Sequence, residues 1–131
     1  MNPKINDTIL KTFSFTQDDV ITFSNVSGDK NPLHLDNTFA KKTIFKRPII
    51  HGFLGGSVFS KILSTHFWGT GTIYLSQTMN FKKPMFVDTN YIAQLTLEKI
   101  DSKKNIAIIT TNVFTINNDP VITGEAVIKF N

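Results

Sequence analysis

Residues 51 to 67, HGFLGGSVFSKILSTHF, constrain the fold of this chain more than any other stretch. Leu54, Val58, Ile62 and Leu63 recur at helical spacing as one apolar stripe, with Phe53 and Phe59 flanking it. Gly55 and Gly56 inside such a helix cost about 1 kcal/mol each relative to Ala. The usual compensation is close approach of another backbone, so the helix is expected to press against a sheet. The chain beyond it supplies one. Residues 72–81 alternate, with Ile73, Leu75, Gln77, Met79 and Phe81 on one face. Residues 90–100 place Tyr91, Ala93, Leu95 and Leu97 together, residues 105–116 are β-branched, and residues 121–130 align Ile122, Ala126, Ile128 and Phe130. Polar turns at Asp101–Asn105 and Asn117–Pro120 separate the last three.

Ahead of the helix, residues 8–15 alternate well enough for a first strand. Thr16 and Asp19 form a capping box with Asp in place of the usual Glu, opening a helix over 17–25 that Gly28 closes. Val20, Phe23 and Ser24 share one face of it. Asp36-Asn37 cap another short helix. One strand, helical material and four consecutive strands make an α+β chain: a five-stranded antiparallel sheet wrapped around a long central helix.

At 131 residues the chain is expected to be one domain over 1–131, burying about two thirds of its unfolded surface. It has no cysteine, which excludes disulfides, thiol catalysis and cysteine-based zinc sites. No apolar run approaches the roughly 18 residues of a membrane span, and the N-terminal residues lack a signal-peptide apolar block. A cytoplasmic protein without membrane attachment is expected. The net charge of +4 is scattered in pairs such as Lys41-Lys42, Lys46-Arg47 and Lys82-Lys83. That pattern argues against nucleic acid, which calls for a longer basic stripe. It suits a phosphate-bearing ligand such as coenzyme A, or an acidic carrier protein.

The chemistry-bearing stretch is SGDKNPLHLD, residues 27–36, followed by His51-Gly52. Pro32 suits the first position of a helix and Asn31 its cap, which puts His34 in the first turn and Asp29 in the loop before it. Such a bend can aim a carboxylate and an imidazole at one small volume, as acid–base work on a bound water requires. The same residues also read as a capped turn with a packed or surface histidine, and spacing alone does not separate the two. The N-terminus of the 51–67 helix leaves the N–H of Gly52 or Phe53 unpaired, an arrangement that can stabilise an oxyanion. His66, near the other end of that helix, suits the dipole there.

The signatures Asp-x-Asn-Pro-x-His at 29–34 and Pro-x-x-His-Gly at 48–52, with GTIYLSQTMNFKKPMFVDT after them, resemble the MaoC-type (R)-specific enoyl-CoA hydratases from about Phe15 to Phe130. The resemblance implies a hot-dog fold, a homodimer, and reversible hydration of trans-2-enoyl-CoA to (R)-3-hydroxyacyl-CoA. It implies Asp29 and His34 as the catalytic pair and the Gly52 N–H as oxyanion donor. Asn31 would support the site around the substrate, and Ser60 would belong to the same substrate-binding neighbourhood. His51 would hold the loop. No metal or redox cofactor is implied, since the thioester substrate supplies its own electron sink. The alternative is a (3R)-hydroxyacyl dehydratase acting on acyl carrier protein. A hot-dog thioesterase fits less well, because it needs an acid or base at the carbonyl carbon.

Overall fold

Five strands form one antiparallel sheet in the order β1-β3-β4-β5-β2 in a computed structural model that describes residues 2–131. The elements are β1 (Thr8–Phe13), α1 (Gln17–Ser27), α2 (Pro32–Leu35), α3 (Asn37–Lys41), α4 (Gly52–Leu63), β2 (Ile73–Phe81), β3 (Tyr91–Asp101), β4 (Ile106–Thr115) and β5 (Pro120–Lys129). The register sets Ile9 opposite Leu95, Thr111 opposite Leu95, Ala126 opposite Ile109, and Gly124 opposite Met79.

The alternation read from the sequence produces the core. Tyr91, Ala93, Leu95 and Leu97 of β3, Ala107, Ile109 and Val113 of β4, and Ile122, Ala126 and Ile128 of β5 are all buried. They share one apolar cluster with Leu54, Val58, Phe59, Ile62 and Leu63 of α4, so the helix packs on the inner face of the sheet in the hot-dog manner. At 12 residues α4 is about 18 Å long. It starts at Gly52, one residue later than the sequence suggests, and stops four residues earlier. Ser64 and Thr65 hydrogen-bond back to the carbonyls of Lys61 and Ile62, a competition with the backbone that ends helices.

Two expectations are corrected. The glycines of α4 admit side chains rather than a backbone: a methyl group built on Gly55 would lie 2.6 Å from Met85 Sδ, and one on Gly56 would collide with Met79 Sδ. The apolar stripe of β2 is not a core face within the chain. A bulge between Tyr74 and Ser76 breaks its alternation, and Ile73, Leu75 and Phe81 are exposed. The cap of α1 is as expected, with Thr16 Oγ1 accepting from the Asp19 N–H and the Asp19 carboxylate accepting from the Thr16 N–H.

Candidate active site

The site begins where α1 ends. Gly28 adopts φ 80°, a left-handed conformation that costs glycine little, and turns the chain into Asp29. The Asp29 N–H donates to Ser27 Oγ at 3.1 Å, and Asp29 Oδ1 accepts the Asn31 N–H at 3.2 Å. Asn31 Oδ1 in turn accepts the Leu33 N–H at 3.1 Å, and Pro32 occupies the first helical position. These local bonds set His34 as the third residue of α2, with the Asp29 carboxylate standing just ahead of it. Asn31 is thus engaged as a helix cap that shapes the turn.

The segment leading into α4 completes the site. The Ile49 N–H donates to the Leu33 carbonyl at 3.2 Å, and His34 Nδ1–H donates to the Ile49 carbonyl at 2.8 Å. A carbonyl can only accept, so neutral His34 carries its proton on Nδ1 and presents the lone pair of Nε2. Two residues on, the His51 ring lies 3.9 Å from that of His34, tilted by 31°. His51 Nε2–H donates to the Asp29 carbonyl at 3.1 Å and lies 3.1 Å from Ser24 Oγ. Asp29, His34 and His51 each bring one nitrogen or carboxylate oxygen within 4.8 Å of the others. A carboxylate and two imidazoles are a donor set that a divalent metal accepts; with His34 Nδ1 and His51 Nε2 bonded to carbonyls, the nitrogens left over are His34 Nε2 and His51 Nδ1.

Burial pulls the His51 pKa below its ordinary 6.5; the nearby His34 ring adds to that, and the Asp29 carbonyl and carboxylate oppose it. Its Nδ1 is buried without a hydrogen-bond partner among the described residues, so a proton there would have no acceptor. The folded state therefore binds this proton more weakly than the unfolded chain. The stability that follows is complete above pH 6.5 and is lost as pH falls from there through the lower folded value. Denaturant melts at stepped pH should show this loss, at most about 1.4 kcal/mol per pH unit for the single proton, and His51→Phe should lack it.

His34 and Gly52 border a cavity of about 430 Å³. Its walls are mainly Phe45, Ile49, Phe53, Phe81, Met85 and Ile122, with Lys82 and Lys83 also lining it. Gly52 is the first residue of α4, so its N–H has no partner within the helix and sits at the positive end of the dipole. Of the candidate residues, His34 and Gly52 line this cavity, Asp29 lies close to His34, Asn31 holds the turn beside Asp29, and Ser60 stands apart. Ser60 lies two turns along α4, about 12 Å from Gly52, beside a separate depression with Leu63, Ser64, Thr72, Tyr74 and Ile128. Sequence reading missed the Ile49 carbonyl and Ser24. A backbone acceptor leaves no trace in composition, whereas a serine on the apolar face of α1 was a visible signal.

The description "MaoC like domain" matches residues 4–118. Over 111 residues the chain is 44% identical to the (R)-specific enoyl-CoA hydratase of Aeromonas caviae, covering 85% of this chain and 83% of that protein. The solved (R)-hydratase from A. caviae involved in PHA biosynthesis superposes with a TM-score of 0.94 at 39% identity, covering 98% of each chain. The mitochondrial 3-hydroxyacyl-(acyl-carrier-protein) dehydratase of Arabidopsis thaliana is 33% identical over 126 residues, 94% of this chain and 75% of that protein. A match of this extent, in sequence and in fold, settles the kinship: the chain belongs to the MaoC-like domain family.

Proposed function

We propose that this protein is an (R)-specific enoyl-CoA hydratase, adding water reversibly to trans-2-enoyl-CoA to give (R)-3-hydroxyacyl-CoA. The observation that carries the reading is an imidazole with a free nitrogen and a helix-start N–H lining one apolar cavity, with a carboxylate close to that imidazole. The enoyl group lies along the phenylalanine-lined wall. His34 Nε2 takes a proton from a water held between it and the Asp29 carboxylate. The hydroxyl adds to the β-carbon while the electron pair of the double bond moves through the α-carbon onto the thioester oxygen. The Gly52 N–H stabilises that oxygen, a contribution of about 3–4 kcal/mol for a single well-placed donor. The Asp29–His34 unit then returns one proton to the α-carbon, so one water is added overall. The thioester carbonyl is the electron sink, and these steps need no metal or redox cofactor. Lys82 and Lys83 place positive charge where the phosphates of the carrier enter.

The test is the hydration of crotonyl-CoA, with the chirality of the product determined. Loss of enoyl absorbance with (R)-3-hydroxybutyryl-CoA as product is expected, and an (S) product or no reaction would end the proposal. The Arabidopsis relative is named for a carrier-protein substrate, so the same enoyl group on acyl carrier protein forms the second arm. Faster turnover there would move the assignment to the dehydratase.

The active unit is a homodimer in this reading. β2 is an edge strand, and Ile73, Leu75 and Phe81 are exposed at 57%, 49% and 51%. The Phe81 ring lies 6.3 Å from that of Phe53, itself 70% exposed on α4, so an apolar band runs from the cavity wall along the open edge. Pairing with a second copy covers both the band and the unpaired backbone groups. Sedimentation should give twice the chain mass, and Leu75→Lys, which sets a charge on that edge, should give the chain mass alone.

A further inference from the structure

His51 joins three parts of the site. Its ring lies between those of His34, at 3.9 Å and tilted by 31°, and Phe23, at 4.8 Å and tilted by 56°. Its Nε2–H reaches the Asp29 carbonyl and Ser24 Oγ, both at 3.1 Å. Its backbone is the residue before Gly52 and caps α4. Only 2% of its surface is exposed, and it is no wall of the cavity that His34 and Gly52 border. His34 therefore has its ring plane fixed from two sides: the Ile49 carbonyl holds Nδ1, and the His51 ring covers one face. Asp29, an exposed loop residue, has its backbone held from below by the same imidazole.

We infer that His51 is a positioning residue for the reaction: as a neutral imidazole protonated on Nε2, it holds the Asp29 backbone and the His34 ring in register with the Gly52 N–H. A displacement of about 1 Å in such a constellation costs on the order of 100-fold in rate. The effect belongs to turnover, because His51 does not face the space the substrate fills. The activity readout rests on the hydratase reading. The second readout does not.

Two variants separate what the ring does from what the N–H does. His51→Phe keeps a ring over His34 and removes the donor to Asp29; His51→Gln keeps an amide donor and removes the ring. Each, folded at the assay temperature by calorimetry, is expected to lower kcat for crotonyl-CoA by about 10- to 100-fold with KM changed less than about threefold. Either folded variant turning over within about twofold of the parent enzyme would overturn the inference, as would a change confined to KM. Nitrogen-15 spectra of the imidazoles give the independent readout. The parent protein should show His51 protonated on Nε2 and His34 on Nδ1, with the His34 Nδ1–H signal weakened in His51→Phe. The opposite tautomer at either histidine of the parent overturns the inference even if neither variant folds. Absence of any hydration by the parent enzyme would count against the hydratase reading and leave the spectra to decide this one.

Discussion

His34→Gln is expected to lower turnover of crotonyl-CoA by at least about 100-fold while the protein stays folded. The glutamine amide can still donate to the Ile49 carbonyl, the bond that ties α2 to the segment before α4. Its amide oxygen still accepts hydrogen bonds but is far too weak a base to stand in for Nε2, so the proposed base is lost while the tether survives. Asp29→Asn makes the complementary case. Asp29 is exposed and its Oδ1 accepts the Asn31 N–H, a bond that an amide oxygen also makes. The fold should hardly register the change, yet the charge proposed to orient the water is gone, and a loss of similar size follows. The double variant should be little worse than either single one, because the two groups act as one unit. Initial rates measured on samples with matching melting curves check all three. Near-parental activity in a folded single variant would remove the mechanism.

The second large effect concerns the proposed oxyanion donor. Gly52→Pro removes the N–H and little else from the backbone, because the first position of a helix tolerates proline. The residue before it is also suited: His51 sits at φ −54° and ψ 133°, the extended conformation that precedes proline without strain. Turnover should fall about 100- to 1000-fold, the range for losing one such donor. The proline ring meets Phe81, whose ring would lie 2.7 Å from a Cβ at Gly52, so a steric control is needed. Gly52→Ala supplies it, adding the same carbon while keeping the N–H. Alanine costing as much as proline would mean that crowding by Phe81, and not the donor, sets the rate.

What the sequence discloses here is what short-range chemistry decides. Thr16 with Asp19, Gly28, and Asn31 with Pro32 form their caps and turns with neighbours two to four residues away, and the structure shows each of them as the residue types suggest. The buried faces of β3 and β5 follow from period-two alternation for the same reason. Hidden features depend on distant parts of the chain. The strand order puts β2 at an edge, so Ile73, Leu75 and Phe81 stay exposed in their own chain, and no local pattern distinguishes that case from burial. The stack of His51 on His34 exists because Ile49 pairs with Leu33, a contact between segments about fifteen residues apart. Ser60 was grouped with the pair by resemblance, but two helical turns carry it to another depression.

The two methionines wedged against α4 give the enzyme a chemical weak point. The Met85 and Met79 thioethers occupy the space in which even a methyl on Gly55 or Gly56 would not fit. A sulfoxide adds an oxygen and a strong dipole there, and the helix can admit it only by lifting from the sheet and carrying Gly52 away from His34. Peroxide should therefore silence this enzyme without touching an acid, a base or a thiol. Half-buried Met79 should be struck before Met85, which is only 4% exposed, and methionine sulfoxide reductase should bring the activity back.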